Sequence, residues 1–320
     1  MPSKSDLELA KKLLKANVLP EARLRAAFEQ QAALEEKGQV YSLERILYAT
    51  KDLPMGALDV LYGPSPLESQ PFANYRLDSI VGEGGSSVVY QGEYLPNGAP
   101  VAVKVLDPVQ ALRGEFLERF QREARMLIQL DSEHVVMGYE CGFESGYHFF
   151  SMDHVDGITV LEVLDRRGHL TNEEALSITW QTAVALEYLH EQGFLHRDIK
   201  PGNIMVEADG RVRLIDLGLV RDMAGQVMDG AEETTTVGTV EYVSPEQARG
   251  RTDLDPRSDI YSLGLSLYHM VVGEVAFQGE SDYEVMAKQI MSALDTQKLL
   301  SLIHISEPTR LESKSRVPSS

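Results

Sequence analysis

The segment His196-Arg197-Asp198-Ile199-Lys200-Pro201-Gly202-Asn203, followed by Asp216-Leu217-Gly218, constrains this chain more than any other stretch. It sets a carboxylate, a lysine and an amide on one short loop, with a second carboxylate a short hairpin away. Phosphoryl transfer from a magnesium nucleotide uses such a set: a carboxylate for the incoming hydroxyl, a cation for the moving phosphate, and oxygen ligands for the metal.

Composition narrows the alternatives. A chain of 320 residues has room for a two-lobed domain and a small extra module. With 43% hydrophobic residues it can bury a core, and 25% charged residues is ordinary for a soluble protein. A net charge of -19 argues against nucleic acid or anionic membrane as the main partner. Without a long acidic run, solubility is the plainer reading of that charge. Cys141 is the only cysteine, so the chain holds no internal disulfide and no four-thiolate zinc site, which fits a reducing cytoplasm. The polar, amphipathic start is not a secretory signal. The longest apolar stretch, Ile260 to Phe277, is broken by Ser262, Gly264, Ser266, His269, Gly273 and Glu274. It falls short of the roughly 20 apolar residues of a membrane helix and reads as a buried helix. Membrane attachment is not visible here, and a cytoplasmic location is expected.

Periodicity divides the chain. Residues 1–62 read as a small helical module: one helix on Leu7, Leu13 and Leu14, a second on Leu24, Ala27, Phe28 and Gln31 with Pro20 in its first turn, and two shorter ones on Leu43, Ile46 and Leu47 and on Leu58 and Leu61. Gly and Pro breaks mark 63–74 as a linker. Tyr75–Val81, Val88–Tyr94 and Val101–Leu106 read as strands, with Gly98 turning between the last two. A helix is expected over Glu115–Leu130, strands near Val135–Cys141 and His148–Asp153, and helices over Glu173–Gln192 and Ile260–Val272. Trp180, in one of these helices, is expected in the core. His134, His148 and His154 lack ligand spacing and read as structural or exposed.

On the catalytic segment and the acidic triplet after it, the chain resembles bacterial Hanks-type protein kinases, and Lys200 points to their serine/threonine branch. The resemblance implies an α+β, two-lobed protein-kinase-like fold, a β-rich N-lobe and a helical C-lobe, over residues 75–293 behind the helical module. It implies ATP and Mg2+ as cofactors and protein Ser/Thr hydroxyls as substrates. The covering loop would be Val81-Gly82-Glu83-Gly84-Gly85-Ser86-Ser87-Val88-Val89, whose glycines let backbone approach phosphates. A lone Gly-x-Gly is a weak signal, and no Gly-Lys-Ser/Thr follows as in a P-loop. Lys104 in Val101-Ala102-Val103-Lys104 would contact the α- and β-phosphates, with Glu123 aiming it. Alone, that pair would pass for a surface ion pair worth ~0–1 kcal/mol. Val89 and Ala102 would roof the adenine pocket, Met152 would stand behind the base, and backbone of Asp153 and Val155 would bond it.

In the catalytic half the resemblance implies Asp198 as the base, Lys200 opposite the γ-phosphate, Asn203 and Asp216 as Mg2+ ligands, and Thr239 touching Asp198 and Lys200. His196 is expected to pack beneath the loop, and Asp259 to tether the loop backbone from a central helix. Asp216 to Glu246 would form the activation segment, with Thr234–Thr236 as sites of autophosphorylation pairing with Arg197. Ser244-Pro245-Glu246 stands where the family usually has Ala-Pro-Glu.

Departures are also visible. Ser87 replaces the third glycine and Leu217 the usual phenylalanine, while Gly202 gives no support for arginine-rich substrates. The likeness fades after Ala293; no late arginine stands ready for Glu246, and residues 294–320, above all Ser301–Arg310, form an atypical tail resembling read-through of foreign DNA. The helical module faintly resembles N-terminal domains of secretion ATPases and some bacterial kinases, but Tyr41-Ser42-Leu43 stands where their nucleotide signature would be. Partner docking or packing is its expected role. Two rivals remain: an ATP-binding pseudokinase scaffold, opposed by Lys104, Glu123, Asp198, Asn203 and Asp216, and a kinase of small hydroxylated molecules, opposed by the complete activation segment.

Overall fold

The computed structural model describes residues 3–15, 19–53, 65–112, 114–217, 221–222 and 239–298. The chain divides into two units, Met1–Val155 and Asp156–Ser320.

The first unit opens with helices α1 (Lys4–Lys15), α2 (Glu21–Glu35) and α3 (Leu43–Ala49). Leu9, Leu13, Leu24, Leu43, Ile46 and Leu47 close into one core, and Leu112 packs against it from further along the chain. Asp6 ties the three helices together. Its carboxylate accepts the Leu43 N–H at 2.9 Å and Gln31 Nε2 at 3.0 Å. Burial pushes this carboxyl up, but the bonds from Gln31, Leu43 and Ser3 outweigh it and hold the group below its usual range. Pro20 stands just before α2, as its N-cap, rather than inside the first turn. The short helix expected on Leu58 and Leu61 lies outside the described residues. Within the stretch read as a linker, α4 (Pro66–Ser69) forms a single turn closed by a Ser65/Glu68 capping box.

A five-stranded antiparallel sheet follows, built from β1 (Tyr75–Glu83), β2 (Ser87–Tyr94), β3 (Ala99–Leu106), β4 (Gly138–Glu144) and β5 (Tyr147–Asp153) in the order β1-β2-β3-β5-β4. Gly98 turns the β2–β3 hairpin at φ 72°, in the region that favours glycine. Phe72, Tyr75, Leu77, Tyr90, Val101, Val103 and Phe149 fill one face. After the single turn α5 (Pro108–Ala111), α6 (Gly114–Gln129) buries Phe120, Glu123, Ala124, Met126 and Leu127. The strand expected near Val135–Cys141 runs three residues later, over β4; buried Val135 and Val136 precede it, Val135 in an isolated β-bridge.

The second unit contains β6 (Gly157–Thr159), α7 (Val160–Arg167), α8 (Asn172–Glu191), β7 (Phe194–Leu195), β8 (Ile204–Glu207), β9 (Val212–Leu214) and β10 (Arg221–Asp222), then α9 (Pro245–Ala248), α10 (Pro256–Val272) and α11 (Asp282–Met291). Thr171 and Glu174 form a capping box that starts α8, and Asp255 with Pro256 starts α10. Gly273 ends α10 at φ 81°, where an added Cβ would meet the Gly168 carbonyl oxygen at 2.5 Å. Nine α10 residues, Asp259 among them, are buried, so this helix forms the spine on which the loops hang.

Trp180 corrects the sequence reading: it is 66% exposed. The buried stripe of α8 runs through Ala175, Ile178, Thr182, Ala185, Leu186 and Leu189, and Trp180 is out of phase with it. Among the described residues no helix is long and apolar enough to cross a membrane.

Candidate active site

Two groups of residues carry the predicted chemistry, one in each unit. In the first, the β1–β2 hairpin holds Gly82, Gly84 and Gly85. A Cβ added at Gly85 would meet nothing within 4 Å, and at Gly82 or Gly84 nothing closer than 3.5 Å. The protein leaves the space over this turn open, as close backbone approach to a phosphate requires. Val81 and Glu83 are exposed, Val88 and Val89 half-buried, and Ser87 is buried, paired in register with Leu106. The Ser86 carbonyl accepts the Asp107 N–H at 2.8 Å, and the Ser87 carbonyl accepts the Gly84 N–H at 2.8 Å. The turn is thus set by backbone bonds, not by the glycines alone.

Register places Lys104 opposite Val89 on one side and Phe150 on the other. Its ammonium lies 2.6 Å from Glu123 Oε1 and 5.7 Å from the centroid of the Phe150 ring. Both charged side chains are largely buried, so losing either partner would leave an uncompensated charge, on the order of 3–5 kcal/mol. No local pattern singles out Phe150 among the strand aromatics; only the sheet register brings it to the lysine. Ala102 is buried and pairs with Met152. The Asp153 N–H donates to the Met137 carbonyl at 2.9 Å. Val155 is half-buried just beyond β5.

In the second unit the loop after β7 gathers Asp198, Lys200 and Asn203. Asp198 Oδ2 accepts from Lys200 Nζ at 2.7 Å and from Asn203 Nδ2 at 2.9 Å. Asn203 Nδ2 also donates to the Asp198 carbonyl at 2.7 Å. The buried amide is thereby oriented, with Oδ1 as its remaining acceptor. Asp216 follows β9; the Ile215 N–H donates to the Asn203 carbonyl at 2.9 Å, which lays the two residues' backbones side by side. Asp216 itself is exposed, at φ 60°. Leu217, beside it, is 1% exposed, so the leucine serves as a core anchor where the family has phenylalanine.

Thr239 is exposed, and no hydrogen bond joins it to Asp198 or Lys200. Gly218 and Thr234–Thr236 lie outside the described residues.

The loop itself is hung from Asp259. One carboxylate oxygen accepts the Arg197 N–H at 2.8 Å, and the other accepts the His196 N–H at 2.9 Å and meets His190 Nε2 at 2.8 Å. Burial pushes Asp259 up, but its bond with His190, the field of His196 and the two backbone N–H bonds together hold it below the carboxylate range. No local pattern marks His190, because its partner lies 69 positions away. Fully buried His196 accepts the Asp198 N–H on Nδ1 at 3.2 Å, which leaves its proton on Nε2. Burial pushes His196 below its usual value, against the opposing fields of Asp259, Asp198 and Asp216.

The oxygen donors fit magnesium. Asn203 Oδ1 and Asp216 are hard ligands, and among the described residues no group of three His, Cys, Asp or Glu side chains could form a protein-only cage. Mg2+ favours such sparse sites, completing its shell with phosphate oxygens and water.

This fold and these loops define a protein kinase. The chain belongs to that family: the protein kinase domain matches residues 75–317. Its similarity is to bacterial serine/threonine kinases of the Hanks type. It is 38% identical to the serine/threonine-protein kinase PknA of Corynebacterium glutamicum over 72% of this chain and 50% of that protein. It is 33% identical to PrkC of Bacillus subtilis over 70% of this chain and 34% of that protein, and 36% identical to PknB of Mycobacterium tuberculosis over 68% and 35%. The chain thus spans between a third and a half of these relatives.

Buried His196 couples stability to pH. An unfolded imidazole titrates near ~6.5. The folded value is lower, so as pH falls the unfolded chain binds the proton first and stability is lost from about 6.5 downward. His148 and His269, also pushed down by burial, act in the same direction. Melting temperature should therefore fall between pH 7.5 and 5, and less steeply in His196→Phe. Parallel curves for the two proteins would contradict the assignment.

Proposed function

We propose that the chain transfers the γ-phosphate of MgATP to Ser/Thr hydroxyls of proteins. The observation that carries this is the asymmetry of Asp198. Oδ2 is saturated by Lys200 and Asn203, whereas Oδ1 has no partner among the described residues. Oδ1 is then the acceptor for a substrate hydroxyl. A carboxylate is a weak base for an alcohol, so its work is to orient the hydroxyl and take the proton late. The hydroxyl oxygen forms a bond to the γ-phosphorus, the bond to the β–γ bridging oxygen breaks, ADP leaves, and the proton ends on Asp198.

Lys200 balances charge on the moving phosphoryl group, and Lys104, aimed by Glu123 and Phe150, holds the other phosphates. The covering loop Val81–Val89 closes over them. Val89, Ala102, Met152 and the backbone of Asp153 and Val155 take the adenine. Asn203 and Asp216 hold Mg2+, which neutralises phosphate charge when bound. Thr239 acts by selecting hydroxyl substrates once one is present. The N-terminal helical module, with its own core, acts as a docking or regulatory element. The intact Lys104–Glu123 pair and the assembled Asp198–Asn203 group disfavour a scaffold without activity.

Asp198→Asn should lower radiolabel transfer from ATP to a generic protein substrate by roughly 10²–10⁴-fold while leaving ATP binding intact. Equal transfer by both proteins would sink the assignment.

Within the activation segment, Thr234–Thr236 are the proposed autophosphorylation sites, since a phosphate there carries about -1.5 to -2 charge and Arg197 is a partner of the right sign. Intact mass and site mapping after ATP incubation should find phosphate on these threonines. A protein that labels elsewhere but not there would end that proposal.

A further inference from the structure

We infer that Gln247 is a positioning residue for the catalytic base, clamping the peptide that carries Asp198. This rests on the kinase reading above. Arg197 sits at φ 69°, a left-handed conformation uncommon for a side chain of its size. Such a conformation persists only where the surroundings hold it. Asp259 holds the N–H of Arg197 at 2.8 Å, and Gln247 Nε2 donates to the Arg197 carbonyl at 2.9 Å. Both ends of this residue are therefore gripped, by carboxylate on one side and amide on the other. The gripped carbonyl belongs to the same peptide unit as the Asp198 N–H, which donates to His196 Nδ1. Rotation of that unit would swing the Asp198 carboxylate away from Lys200 and Asn203.

The grip reaches the loop from a distant segment, 50 positions along the chain. Gln247 lies in α9, whose N-cap Ser244 is completely buried. Gln247 Oε1 accepts the Ser244 N–H at 3.1 Å, and its own N–H donates to Ser244 Oγ at 3.3 Å. One side chain thus closes the capping box with its oxygen and holds the catalytic loop with its nitrogen. The two ends of the amide are not interchangeable, because one faces a donor and the other an acceptor. Gln247 couples the far end of the activation segment to the orientation of the base.

Two substitutions in the full chain test this. Gln247→Glu keeps the oxygen that receives Ser244 N–H but sets a carboxylate oxygen against the Arg197 carbonyl. Gln247→Met keeps length and removes the donor without adding charge. For both, kcat should fall by about 10–100-fold, as expected when a reacting group is misplaced by a fraction of an ångström. KM for ATP should stay within about twofold of the parent, and the Asp198 amide should exchange with solvent about tenfold faster. Unchanged kcat with unchanged Asp198 exchange would overturn the inference. So would a joint loss of kcat, ATP affinity and melting temperature, which marks a general strut instead. If the parent chain itself transfers no phosphate, the kinase reading fails separately, and the Asp198 exchange rate alone decides the clamp.

Discussion

The buried carboxylate of Asp259 is the interaction on which the catalytic loop depends. A carboxylate this deep is costly unless its lone pairs are met. Here three donors meet them: the backbone N–H groups of His196 and Arg197, and the His190 ring. Each bond to a charged acceptor contributes about 1.5–3 kcal/mol, and the donors lie more than 60 positions from Asp259. One side chain on a helix thereby fixes the backbone at two consecutive residues, and the third, Asp198, follows. The left-handed Arg197 is tolerated because these contacts leave it no alternative.

The candidate site is legible in the sequence because its proposed catalytic residues sit close together along the chain. Asp198, Lys200 and Asn203 share one loop and bond to one another within it. The strands around the covering loop were legible from alternation, and Gly98 from its turn. What escaped detection depends on register or on contacts between remote segments. Phe150 meets Lys104 only because β5 pairs with β3 as it does. His190 and Gln247 reach the loop from other elements, and no local pattern marks either. Trp180 misled because residue type suggests burial, whereas the phase of a helix decides it.

The division of labour follows from chemistry. Lys104 is a compact cation directed by Glu123 and an aromatic face, which suits it to phosphate oxygens. Asp198, by contrast, keeps one oxygen saturated and the other open. The proposed magnesium ligands, Asn203 and Asp216, are few and hard, an arrangement in which a nucleotide would complete the shell. The N-terminal helices add a separately cored module, fastened internally by Asp6, whose contact through Leu112 falls at the approach to the helix bearing Glu123.

Amide hydrogen exchange at His196 and Arg197, compared between the parent chain and Asp259→Asn, bears most directly on this account. If Asp259 suspends the loop, both amides are strongly protected in the parent. In the variant they should exchange at least ~10-fold faster, while amides in the core of helix Asn172–Glu191 keep their rates. Equal protection of the two amides in both proteins would show that the loop holds itself, and the account would fail.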